Sequence, residues 1–289
     1  MSQIFQEQRQ FRTYILTDAA TRSQLEVVPE RGSIITGWQV NGQELLYLDA
    51  ERFANPELSV RGGIPILFPI CGNLPNNSYT HNGQTYTLKQ HGFARDLPWT
   101  VVEEIQQNGV GIRLQFESDD RTRAVYPFEF GVQFVYQIQG NSLEIHQLYT
   151  NRSPEPMPFS TGLHPYFPVS NKATLQFEIP ATQYQNQITQ TTHPFNNQFD
   201  FEVNEIDVAF REITRQTATV TDPDRRTRLT LEYDPTYSTL VFWTVKGKDY
   251  YCLEPWSAPR NALNTGDQLI HLNPGATLET IVRFTVEFL

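Results

Sequence analysis

The feature that most restricts how this chain folds is a polar–apolar alternation that returns from end to end. It is visible in Arg113–Glu117, Val132–Ile138, Ser142–Tyr149, Thr174–Ile179, Thr227–Glu232, Thr239–Val245 and Thr280–Phe288. A period of two puts successive side chains on opposite faces of a strand, so each segment predicts a half-buried β-strand. Asn-Gly pairs at 41–42 and 82–83 predict tight hairpins, because both residues tolerate the positive φ such turns require. Helical periodicity is weak and confined to Ala50–Leu58 and a turn or two within Arg260–Leu269. Strands following strands predict an all-β fold, a large antiparallel β-sandwich. No internal repeat, low-complexity tract or linker interrupts the pattern, so the expectation is one domain over residues 1–289.

Composition narrows the partners. The net charge is −10 with no Lys/Arg-rich run, which argues against nucleic acid and anionic membranes. A small anionic substrate stays compatible, because one or two local arginines suffice to hold a phosphate. Two cysteines, Cys71 and Cys252, far apart in sequence, make no disulfide framework, and a reducing cytoplasm fits best. The first eighteen residues hold no long apolar run, so no secretory signal is expected, and no segment has the apolar length to cross a bilayer. The 19 Phe, 13 Tyr and 4 Trp suit both β-packing and a cavity that covers the faces of a sugar ring, and core packing accounts for most of them.

Four segments break the strand rhythm. They are Arg61–Pro69 (RGGIPILFP), Gln90–Arg95 (QHGFAR) followed by Trp99, Ser160–Phe167 (STGLHPYF) between Pro158 and Pro168, and Tyr250–Trp256 (YYCLEPW). Glycine and proline at this density pin an irregular backbone. Glu254 ends a strand-like run beside Tyr250 and Cys252, where partial desolvation should raise its pKa, and Pro255 marks the strand's end. His164 sits in a proline-rich, rigid mount of the kind a general acid needs. Each residue also fits a structural role: Glu254 in a rim ion pair, His164 and His91 as hydrogen-bonded histidines. His146, beside Glu144, reads as a solvated face, and His81, His193 and His271 read as turn residues. No His or Cys spacing suits a metal, and no nucleophile elbow, Walker loop or dinucleotide fingerprint is present.

At these four segments the chain resembles the aldose 1-epimerase, galactose mutarotase-like superfamily. RGGIPILFP is similar to that family's R-G-G-x-P loop and HGFAR to its H-G-F-x-R segment. TGLHPYF is similar to the segment carrying its acid histidine, YCLEPW to that carrying its base glutamate, and Pro274-Gly275 precedes the last strand as is usual there. The order matches along essentially the whole chain. The resemblance implies a supersandwich fold, no metal or other cofactor, His164 as general acid and Glu254 as general base. It further implies that His91, Arg61 and Asp207 contact substrate, and it offers Arg95 either to a sugar phosphate or to a structural ion pair. Galactose-type members carry N-x-x-Y-F near the acid histidine, and hexose-6-phosphate members an arginine pair resembling Arg61 and Arg95 and a W-N-P-W-like segment. This chain sits between the two.

The implied reaction is mutarotation. A base takes the anomeric hydroxyl proton, an acid protonates the ring oxygen, the ring opens, and reclosure on the other carbonyl face gives the other anomer. The expected partner is a small sugar or sugar phosphate, handled by a monomer or homodimer. Alternatives are a non-catalytic carbohydrate-binding sandwich, which has no need of both His164 and Glu254, and a glycoside-cleaving enzyme, which needs a second carboxylate. Substrate charge turns on the arginines. If Arg61 and Arg95 both reach the site, a hexose 6-phosphate is expected; if Arg95 pairs with Asp96 or Glu129, a neutral sugar. LHPYF and LEPW tilt the expectation toward neutral aldoses.

Overall fold

A computed structural model describes residues 2–289. Alternation becomes sheet along the full length of six of the seven segments where it was read. Val110–Glu117, Phe130–Gln139, Ser142–Asn151, Thr227–Tyr233, Thr239–Val245 and Thr277–Phe288 are strands, and Ser142–Asn151 alternates half-buried and buried along its whole length. The segment expected at Thr174–Ile179 is shorter: a turn covers Lys172–Thr174, and Gln176–Glu178 forms the strand. Both Asn-Gly pairs close hairpins with positive φ at each residue. The two helical candidates shrink to single turns. Ala50–Ala54 starts on an Asp49 cap and stops before Pro56, and Ala262–Thr265 ends at Gly266. His81, His193 and His271, expected in turns, lie instead at the ends or middles of short strands, Ser78–His81, Thr191–Pro194 and Ile270–Leu272. Strands this short carry too few residues for the alternation to register.

Two eight-stranded antiparallel sheets dominate. One runs, edge to edge, Gln176–Glu178, Thr217–Asp222, Thr227–Tyr233, Thr277–Phe288, Ser142–Asn151, Phe130–Gln139, Val110–Glu117 and Thr100–Ile105. The other, the site sheet, runs Thr191–Pro194, Gln183–Asn186, Glu205–Phe210, Thr239–Val245, Tyr250–Trp256, Gly162–Leu163 and Ile66–Leu67, with Tyr166–Pro168 also paired to Tyr250–Trp256. Their inner faces meet through aromatic rings: Phe284 on Phe167 at 5.9 Å, Phe177 on Phe242 at 5.3 Å and Tyr149 on Phe68 at 5.6 Å. A five-stranded N-terminal sheet, Ser2 to Glu44, adds Leu16, Leu25, Val27 and Trp38 to the same core. Burying each such side chain contributes about 1.5–3 kcal/mol. Among the described residues, no helix is long and apolar enough to cross a membrane.

Candidate active site

Tyr250–Trp256 is buried at every position, because it is central in the site sheet and covered on both faces. On one side it pairs with Thr239–Val245, which sets Glu254 opposite Val241. On the other side the ladder is interrupted. Gly162 pairs with Trp256 and Tyr166 with Cys252, while Leu163, His164 and Pro165 make no pairing to this strand. The register carried in from both ends puts His164 directly across from Glu254. Pro255 therefore does not end the strand, as expected from sequence, for Trp256 still belongs to it. Its missing N–H falls opposite the interruption, where no ladder bond is required.

His164 Nε2 lies 3.4 Å from Glu254 Oε1 at the inner end of a cavity of about 290 Å³. Glu254 is 1 % exposed, and its Oε2 accepts from the Trp256 indole at 3.0 Å. Burial, then the nearby Asp207 carboxylate, pushes the Glu254 carboxyl well above its ordinary range. The shift expected from partial desolvation is therefore that of a fully buried group. His164 is pulled the other way: burial first, then the Arg95 and Arg61 guanidiniums, hold its pKa well below the usual imidazole value. Both groups favour their uncharged forms, and the pair holds one proton between them. His164 stacks on Tyr166 at 4.8 Å and meets Trp243 edge-on at 5.8 Å, which fixes the ring.

His91 comes from a turn with φ of +66° at His91 and +72° at Gly92. A Cβ on Gly92 would lie 2.2 Å from the Phe68 carbonyl oxygen, so only glycine lets the turn dock on the RGGIPILFP loop. The His91 N–H donates to the Gly72 carbonyl at 2.7 Å, and the Gly72 N–H donates to His91 Nδ1 at 3.1 Å. That second bond assigns the imidazole proton to Nε2. Burial, then Arg95, keeps His91 uncharged. Its ring meets those of His164 and Trp256, each at 5.5 Å.

The walls hold charge. Arg61 lies over the Trp243 ring at 4.9 Å. Arg95 donates to the Gln90 carbonyl at 2.8 Å, while its buried Nε has no partner. Neither carboxylate weighed for Arg95 takes it: Glu129 pairs with Arg123 at 2.9 Å, and Asp96 forms no ion pair among the described residues. Asp207 is 9 % exposed, and both its oxygens accept from Arg260 Nη2, at 2.9 and 2.7 Å. All six candidates named from sequence, His164, Glu254, Arg61, His91, Arg95 and Asp207, line this cavity. Arg260, Trp243 and Glu205 line it too and escaped the sequence reading. Arg260 had a usable signal, since it follows Pro259 and precedes Asn261 just beyond the YCLEPW segment.

One cluster runs against spacing arguments. His164, Cys252 and Glu254 offer ligand atoms within 4.8 Å of one another, drawn together across strands and not by sequence spacing. Burial pushes the Cys252 thiol well above its ordinary pKa, so it remains a protonated, poor metal ligand. His146 behaves as a surface residue, 3.0 Å from Glu144.

Comparison with known proteins agrees with this architecture. The model of the family Aldose 1-epimerase matches residues 15–285, and the chain belongs to that family. The crystal structure of the Slr1438 protein from Synechocystis sp. PCC 6803 superposes with a TM-score of 0.95 at 46 % identity, covering 99 % of this chain and 98 % of that one. A galactose mutarotase-like protein from Clostridium acetobutylicum shares the fold, with a TM-score of 0.83, 18 % identity and coverage of 100 % and 99 %. A Cenchrus ciliaris protein provisionally named glucose-6-phosphate 1-epimerase is 30 % identical over 157 residues, 51 % of this chain and 44 % of its own length.

Proposed function

We propose that this protein interconverts the α and β anomers of an aldohexose, with His164 as general acid and Glu254 as general base. The observation that carries the reading is the 3.4 Å contact between His164 Nε2 and Glu254 Oε1 at the buried end of a polar cavity. The step starts with the shared proton moved onto His164 and Glu254 ionised; Glu254 then takes the proton of the anomeric hydroxyl while His164 gives its own to the ring oxygen. The open-chain aldehyde then faces a protonated Glu254 and an uncharged His164, the charge state both environments favour. Reclosure reverses the transfers on the other carbonyl face. Help of this kind is worth about 100–10,000-fold per group. A sugar-binding sandwich without catalysis would have no use for this pair, and within this cavity no second carboxylate flanks a scissile bond without already being engaged: Asp207 is held by Arg260 and Glu205 by the Trp243 indole.

For the substrate, the arginines favour a hexose 6-phosphate over the neutral aldose that the LHPYF and LEPW segments suggest. Arg95 is half-buried, its Nε is enclosed without a partner, and it forms no ion pair among the described residues, an arrangement that a bound anion relieves. Arg61 lines the same cavity. The provisional name of the Cenchrus ciliaris relative points the same way. A neutral sugar stands as the second reading, favoured by the bond from Arg95 to the Gln90 carbonyl, which gives that guanidinium a structural task. The test is anomer interconversion, followed by polarimetry or NMR, with glucose 6-phosphate, glucose and galactose side by side. Faster equilibration of the phosphorylated sugar is expected. No acceleration with any aldose would remove the reading.

A further inference from the structure

We infer that Arg260 is a positioning residue for this reaction: it clamps Asp207, braces Trp256 behind Glu254 and packs on the turn that holds His91. The inference rests on the mutarotase reading. Three contacts carry it. First, Arg260 Nη2 reaches both Asp207 oxygens, at 2.9 and 2.7 Å, so Asp207 keeps one orientation toward the cavity. Second, the guanidinium carbon lies over the Trp256 ring at 5.7 Å, and that indole donates to Glu254 Oε2 at 3.0 Å. Third, the Arg260 stem fills the space beside Gly72: with φ of +71° there, a Cβ would come within 2.4 Å of Arg260 Cγ. The Gly72 N–H is the donor that fixes the His91 tautomer. Arg260 Nη1 completes the brace by donating to Asn73 Oδ1 at 3.2 Å. One side chain thus touches the supports of three residues that come from three distant parts of the chain.

Charge follows from this placement. Arg260 and Arg95 are the cations that favour the ionised form of Glu254, and Asp207 is the anion that opposes it. The other titratable groups facing Glu254 are His164 from the interrupted neighbour, Tyr166 beyond it, and the Cys71 and Cys252 thiols beneath. Removing Arg260 therefore makes Glu254 harder to ionise, and removing the charge of Asp207 makes it easier. A brace with only a structural role predicts loss of activity in both cases with no movement along the pH axis.

The experiment compares wild type, Arg260→Met, Arg260→Lys and Asp207→Asn. The pH dependence of kcat/KM is measured with the best aldose substrate, and the Glu254 carboxyl is titrated directly by carbon-13 NMR in labelled protein. Expected for Arg260→Met are a kcat/KM about tenfold lower or more near the acid limb and a limb and Glu254 titration displaced to higher pH. Arg260→Lys, which keeps the charge, holds the limb near the wild-type position. Asp207→Asn moves it to lower pH, and that opposite displacement serves as the test should Arg260→Met not fold. Unmoved Glu254 titrations in Arg260→Met and Asp207→Asn overturn the inference. If the wild type turns over no aldose, the mutarotase reading falls, and the carboxyl titrations still decide whether Arg260 governs Glu254.

Discussion

His164 stands directly across from Glu254 where the ladder along Tyr250–Trp256 is interrupted, and the two side chains close to 3.4 Å. At this position the backbone groups of His164 face the other neighbour: the His164 N–H donates to the Pro65 carbonyl of the RGGIPILFP loop at 3.0 Å, and the Tyr166 N–H to the Gly63 carbonyl at 2.9 Å. The loop and the pair are thereby built as one unit.

Replacing either member should remove the proton relay and leave the cavity. Glu254→Gln and His164→Asn are each expected to slow anomer interconversion by about 100-fold or more while circular dichroism stays unchanged. Near-wild-type turnover in either variant would falsify the role given to that residue.

Arg95 separates the two substrate readings. A guanidinium–phosphate contact is a charge-assisted bond worth roughly 1.5–3 kcal/mol, or tenfold and more in kcat/KM. Arg95→Ala should show that loss with glucose 6-phosphate and little of it with glucose. Equal, small losses on both sugars assign Arg95 to structure and return the substrate to the neutral class.

Stability should carry the imprint of Glu254. Its folded-state pKa is raised well above the unfolded value of about 4.5, so the unfolded chain gives up its proton first. The native state then binds more protons, and stability falls as pH rises from about 4.5 toward the folded-state pKa. Glu254→Gln lifts that penalty. It should raise the Tm at pH 7, by about 2–4 °C per kcal/mol relieved, and change it little at pH 4. A lower Tm at pH 7 with no difference between the two pH values would contradict a buried, strained carboxylate.

The core under the site is keyed by Phe68. Its ring is fully buried and contacts Phe93, Tyr126, Phe130, Tyr149 and Phe159 at centroid distances from 5.1 to 6.2 Å. Phe68→Ala should cost about 3–5 kcal/mol in denaturant unfolding. It should also weaken catalysis, because the Phe68 carbonyl accepts from Phe93 and Ala94, just past His91. A cost under about 1 kcal/mol would mean the cavity collapses around the missing ring.

The strands were legible because alternation is a local consequence of one buried face, as in Ser142–Asn151, and the Asn-Gly hairpins because positive φ is a property of the two residues themselves. The irregular segments carrying Arg61, His91 and His164 were legible too, since glycine and proline announce a backbone that departs from regular pairing, whereas Tyr250–Trp256, read as breaking the strand rhythm, is a continuous strand. Sequence order could say neither that His164 and Glu254 share a register position nor that Pro255 lies inside a strand, because both follow from which strands become neighbours. Nor could it reveal that Arg260 takes Asp207, or that Arg95 forms no ion pair among the described residues while Glu129 pairs with Arg123. Side-chain chemistry and local backbone preference are written residue by residue. Burial, charge partnership and the pKa shifts they cause depend on distances between residues far apart in the chain, and the packing of the two sheets sets those distances.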